Sequence, residues 1–151
     1  MENYKINNNT IAIIPITIDS TKIIEINNEF IINISSLKII KYNCNFYGSS
    51  LNGRLEGTKS LIKVNYKAPI IIEETNNIIF FPTTSLRLIS CSWINFNYIL
   101  NYKKNNKQSV LIFKNNKKIL LNISYFSLKN QILRSYKLYS IIKTRKEELF
   151  L

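Results

Sequence analysis

Apolar residues fall in short runs along most of this chain, and only near its end do they take a helical period. Residues 10 to 18 read as a first strand, with Pro15 placing it at a sheet edge or a bulge. Residues 22 to 26 and 29 to 34 read as a hairpin across Asn27 and Asn28, a pair that tolerates positive φ. Residues 37 to 44 predict another strand. It feeds a glycine-bearing loop over 42 to 58, and 58 to 66, apolar at Leu61, Ile62, Val64 and Tyr66, reads as the strand leaving it. A hairpin is expected from 69 to 73 and 77 to 81, ended by Pro82, and then a loop over 83 to 90. Residues 91 to 102, alternating at Trp93, Asn95, Asn97 and Ile99, open a meander completed by 110 to 113 and 118 to 122. After Ser127 the apolar residues Leu128, Ile132, Tyr136, Tyr139 and Ile142 trace one helical face. Ser127 suits its N-cap and Asn130 the N3 position. Arg134 and Lys137 lie opposite, and Lys143, Arg145 and Lys146 suit the dipole at its C-terminal end. The expected class is α+β, predominantly antiparallel sheet with a C-terminal α-helix, in a single domain over 1 to 151 with no repeat or linker.

Charge sharpens this picture more than composition does. The chain has 21 Lys+Arg against 9 Asp+Glu, a formal net charge of +12. Residues 1 to 74 hold 8 basic and 7 acidic groups, whereas 75 to 151 hold 13 basic and 2 acidic, and no acid occurs from Thr75 to Lys146. A half-domain of one sign attracts polyanions. Nucleic acid is the leading partner class, ahead of an anionic membrane surface. The turns over 103 to 107 and 114 to 117 are tipped with lysine, so Lys103, Lys104, Lys107, Lys114, Lys117 and Lys118 are expected to hold phosphates. Such contacts give affinity and salt dependence without sequence choice.

Several chemistries are excluded or disfavoured. With no histidine, there is no histidine triad or acid/base pair. The 2 cysteines, Cys44 and Cys91, cannot alone complete a four-ligand zinc site and read as small buried hydrophobes. No third acid supports Glu73-Glu74 or Glu147-Glu148 as a magnesium site. Glycine spacing at Gly48 and Gly53 matches a phosphate loop, but its Lys and Ser/Thr are missing. No enzyme, metal or cofactor is expected. The polar start and the lack of an apolar run near the roughly 18 residues a span needs predict a cytoplasmic chain with no stable membrane insertion.

All 3 glycines, Gly48, Gly53 and Gly57, lie between 42 and 58 with Arg54, whose planar fork of donors lysine cannot imitate. The segment from Cys44 to Thr58 resembles the signature of the ComK family, bacterial transcription factors that switch on competence for DNA uptake. The resemblance continues through Lys-Ala-Pro-Ile at 67 to 70, Phe-Phe-Pro-Thr at 80 to 83 and Cys-Ser-Trp-Ile at 91 to 94. It reappears at 123 to 125 and 130 to 131, and from 4 to 15 it holds by pattern only. Ala68 departs from it, standing where relatives tend to have a second proline. The resemblance implies activation of transcription by binding paired A/T-rich boxes through the minor groove, as a homo-oligomer (a dimer or dimer of dimers). With A-tracts narrowing the groove and deepening its negative potential, Arg54 is the first candidate to enter it, with Asn52 beside it, and Arg87 the second. The resemblance also implies capture by a Clp protease adaptor, with Leu149, Phe150 and Leu151 as the apolar part of its motif. The alternatives are a nonspecific RNA or single-stranded DNA binder using exposed aromatics as stacking platforms, and a basic membrane-surface protein.

Overall fold

Doublets of large apolar residues recur in the chain: Ile23-Ile24, Phe80-Phe81 and Trp93-Ile94. Successive side chains of a strand point to opposite faces, so a doublet suits a sheet covered on both sides. The computed structural model, which describes residues 3 to 150, contains such a sheet. Its order is β3-β2-β1-β6-β5-β4, all antiparallel. The strands are β1 (Thr10–Thr17), β2 (Ser20–Glu25), β3 (Glu29–Ile32), β4 (Ile70–Glu73), β5 (Ile78–Pro82) and β6 (Trp93–Asn95). Ile23, Phe80 and Trp93 enter one core with α1 (Ser36–Phe46) and α2 (Leu51–Ile62). Ile24, Phe81 and Ile94 enter the other, with a second sheet and α3 (Tyr125–Phe150). That second sheet is β7-β8-β9: β7 (Ile99–Asn105), β8 (Gln108–Phe113) and β9 (Lys118–Leu121). The fold is thus α+β and mainly antiparallel, with a C-terminal helix, as the pattern predicts.

The strand expected over 37 to 44 is helix instead, that expected over 58 to 66 is helix to Ile62 and irregular beyond it, and the glycine loop between them is mostly helix. In α1 the buried positions are Ser36, Ile39, Ile40, Asn43 and Cys44, a spacing that only a helix presents on one side. Its β-branched isoleucines favour strands locally, but Ser35 caps the helix by accepting from Lys38 N at 3.3 Å. Asn43 holds the incoming chain: its Nδ2 donates to Tyr4 O and Ile39 O, and its Oδ1 accepts from Ile6 N, all at 2.8 Å. Only Gly48, at φ +91°, uses the freedom of glycine, in the turn between α1 and α2. In α2, Ser50 is the cap, accepting from Gly53 N at 2.9 Å, and Leu51, Thr58 and Ile62 are buried.

Other boundaries also shift. Of the two places expected for Pro15, an edge or a bulge, it takes the second, at a register irregularity of a central strand beyond the reach of β6, which pairs only with Ala12 and Ile13. The strand expected over 91 to 102 is broken by a 3₁₀ turn (Phe96–Tyr98), because Asn95 Oδ1 accepts from Asn97 N at 3.0 Å. Ser124 rather than Ser127 heads α3, accepting from Ser127 N at 3.1 Å through its hydroxyl and from Leu128 N at 3.0 Å through its carbonyl. The buried face of α3 is Leu128, Gln131, Ser135 and Leu138, while Tyr136 is exposed. Among the described residues, no helix is long and apolar enough to cross a membrane.

Candidate nucleic-acid interface

The lysines of the second sheet follow from strand geometry. Lys103 and Lys104 are consecutive on β7, opposite Val110 and Ser109 of β8, so they point to opposite faces of an edge strand. The β7–β8 turn holds Lys107 just after Asn106, which takes the left-handed region at φ +56°. Lys114, Lys117 and Lys118 surround the β8–β9 turn, where Asn116 does the same at φ +68°. In a meander these turns lie at opposite ends of β8, whose 6 residues span roughly 17–20 Å. The six lysines therefore form two separated groups. Lys117 is already engaged: its ammonium and that of Lys22 both bind Glu29 of β3. Those two hydrogen-bonded ammoniums hold the Glu29 carboxyl below its ordinary range, the Lys117 bond contributing most. The same turn is tied to the main sheet by Asn115 Nδ2, which donates to Ile26 O at 3.0 Å.

The three candidate groove readers stand in different situations. Arg54, one turn into α2, has a side chain only 10% exposed. Its Nη1 donates to Glu74 Oε1 at 2.7 Å and its Nη2 to Tyr47 O at 3.3 Å. Glu74 itself is 65% exposed. Asn52 is exposed near the start of α2, and Arg87 is exposed in the loop after β5. Arg87 makes no ion pair among the described residues. The structure thus brings Asn52 and Arg54 onto one helix but does not join them to the lysines of the second sheet.

Sequence reasoning missed a further basic group. Lys59 and Lys67, with Arg87, line a cleft of about 550 Å³ whose walls include Leu55, Tyr66 and Leu86. An adjoining cleft shares Lys59 and adds Lys63. Segment 65 to 68 is fixed from α3: buried Gln131 donates through Nε2 to Lys67 O at 2.8 Å and to Pro82 O at 2.6 Å. Arg134 Nη1 donates to Tyr66 O at 3.0 Å, so it braces this segment rather than pointing freely away from the core. Read as a strand, 58 to 66 gave no hint that these lysines would converge. The buried cysteines bear no reactive chemistry: burial pushes the Cys44 thiol up to about 11 and raises that of Cys91. No cluster of potential metal ligands occurs among the described residues.

Residues 1 to 147 match the family model described as ComK protein. The chain belongs to the ComK family. It is 37% identical over 139 residues to the competence transcription factor of Bacillus subtilis (strain 168), a match covering 89% of this chain and 72% of that protein. No solved structure matches it. The segment resembling the ComK signature, 44 to 58, comprises the end of α1, the Gly48 turn and most of α2, so it is a helical hairpin carrying Arg54. At the other end of this ComK chain Leu149 and Phe150 are 75% and 81% exposed. Leu151, the last of the expected apolar motif, lies outside the described residues.

Proposed function

We propose that this protein is a DNA-binding transcriptional activator of competence genes that reads A/T-rich duplexes through the minor groove. The observation that carries the reading is the acid-free stretch from Thr75 to Lys146, which supplies the whole of the β7–β9 sheet. Lys103, Lys104, Lys107, Lys114 and Lys118 are exposed on it. A surface of one sign draws in a phosphate backbone. Membership in the ComK family, and likeness to a competence transcription factor, support transcription as the purpose. It is a binding role, with no catalysis and no cofactor.

Phosphate contacts position the protein, and a side chain in the groove supplies choice. Arg87 and Asn52 are both exposed, so in this reading they enter the groove without rearrangement. Arg54 joins them by exchanging the Glu74 carboxylate for DNA, which its exposed partner permits. Paired boxes suit a homo-oligomer, each copy supplying one such set. The exposed Leu149 and Phe150 in the last turn of α3 form the surface on which a Clp adaptor would act.

The decisive experiment is competition between an A/T-box duplex and a G·C-rich duplex of equal length, at about 150 mM salt where electrostatic binding alone is weak. The expected result is a preference for A/T of about tenfold, or about 1.4 kcal/mol, within the cost of one lost base-pair readout. Arg87→Ala and Arg54→Ala should each reduce that preference more than they reduce overall affinity. Glu74→Gln, which frees Arg54, should strengthen A/T binding. Equal, weak binding to both duplexes would replace this reading with nonspecific nucleic-acid binding.

A further inference from the structure

Five residues other than glycine hold positive φ among the described residues. Three are asparagines, Asn77, Asn106 and Asn116, and asparagine tolerates the left-handed region. The other two are lysines, Lys63 at φ +60° and Lys67 at φ +50°. Both line the groove beside α2. Lysine gains nothing from that conformation, and glycine or asparagine would hold it with less strain. Lys63 has a partial structural reason, since it caps α2 and its Nζ donates to Ser60 O at 3.1 Å. Lys67 has none of that kind. Its carbonyl is clamped by Gln131, and its ammonium sits 5.6 Å from the centroid of the Tyr66 ring. Strain held in place by a buried clamp is characteristic of residues kept for binding.

The rest of the groove agrees in chemistry. Lys59, Lys63, Lys67 and Arg87 face one carboxylate, Glu56. None of these four cations makes an ion pair among the described residues. Leu55, Ala68 and Leu86 provide an apolar wall, and Tyr66 is 62% exposed at its side. Cations beside an exposed aromatic ring and an apolar wall match a ligand with phosphate at one end and a flat base at the other. The volume of about 550 Å³ lies in the range of small-ligand sites.

We propose that this groove is a nucleotide-binding site. Lys59, Lys63 and Lys67 take the phosphate, and the base lies against Tyr66 and the apolar wall. The nucleotide is either free in solution or part of a bound strand. Only the second source rests on the DNA-binding reading.

The test titrates the full chain with ADP, a short single-stranded oligothymidylate and inorganic pyrophosphate, at about 150 mM salt. ADP or the oligonucleotide should bind saturably and more tightly than pyrophosphate. Tyr66→Ala should weaken that binding by about tenfold, within the range for one stacked base, and Lys67→Asn should weaken it as well, while Lys41→Ala, exposed on α1 and outside the groove, leaves it unchanged. Lys67→Asn should also keep or raise the melting temperature, because asparagine relieves the backbone. A merely structural Lys67 would instead lower it. ADP binding with duplex affinity intact in both groove variants assigns a free nucleotide. Oligothymidylate binding without ADP binding, weakened together with duplex affinity by Lys67→Asn, assigns a nucleotide of the strand. Saturable binding of neither probe, or binding equal in wild type and both groove variants, overturns the site. ADP binding by a chain that fails to bind any duplex would overturn the DNA-binding reading and leave the site standing.

Discussion

Gly53 and Gly57 lie one turn apart on α2, yet adding a methyl group means opposite things at the two positions. A Cβ on Gly53 would meet Ser49 Oγ at 2.7 Å and Ser50 Oγ at 3.2 Å, and Ser50 is the hydroxyl that caps the helix. A Cβ on Gly57 would meet nothing within 4 Å. Gly57→Ala should therefore stabilise the protein by about 0.5–1 kcal/mol, the usual helix-propensity difference. Gly53→Ala should forfeit that gain and lose about 1 kcal/mol as the cap shifts. Urea denaturation of the two variants would show the difference in sign. Arg54 shows how far the sequence reaches at this scale. That it is one of few arginines among many lysines was legible from composition, but its partner was not, because Glu74 lies 20 residues away in a turn that only the fold brings near. The buried Arg54 Nε has no hydrogen-bond partner.

Elements were legible where burial and local preference agree. The hairpins of β2–β3 and β4–β5, the β8–β9 pair and α3 have such agreement and stand close to where pattern places them, whereas the meander's first strand, expected over 91 to 102, starts only at Ile99 and runs into the expected turn as far as Asn105. The miss at α1 and α2 came from isoleucine-rich and glycine-bearing stretches whose local preferences oppose helix. Caps at Ser35 and Ser50 and burial on one side overrode those preferences. The lysines of the groove were invisible for the same reason, since their convergence depends on α2 ending at Ile62. One interaction between elements carries a pH signature. Lys117 and Lys22 lower the Glu29 carboxyl, joining the β8–β9 turn to β3. The stability so gained is fully present above the unfolded carboxylate range and is lost as pH falls through the lower folded value. Glu29→Gln should be less stable than wild type at neutral pH, and the two should converge in acid. Thermal melts across the acid range would show it.

At the scale of the molecule the main sheet is buried on both faces, so its central strands β1, β6 and β5 carry no ionised group, and those within the sheet stand on β2, β3 and β4. The imbalance between the two parts of the sequence thus becomes an imbalance between layers. The β7–β9 sheet carries lysine at both ends, and α3 contributes more along its length of roughly 39 Å. Replacing Lys103, Lys104 and Lys107 together by alanine should weaken duplex binding on every sequence. For every phosphate that no longer has a lysine to neutralise it, the salt dependence should flatten by roughly 0.9 in the log–log slope. Binding measured over a salt series gives that slope directly.

The strand at the middle of the main sheet is its shortest. β6 has 3 residues, Trp93–Asn95, and it alone joins β1 to β5. During synthesis β1 is made long before it and β5 just before it. At about 5–20 residues per second, the growing chain spends roughly 4–15 s with β1 as an open edge and roughly 0.5–2 s with β5 as another. Unpaired apolar edges of this kind recruit other chains. The interval ends when Trp93 emerges and closes the gap. A nascent chain stalled before that point is the form of this protein most exposed to aggregation and most in need of a chaperone.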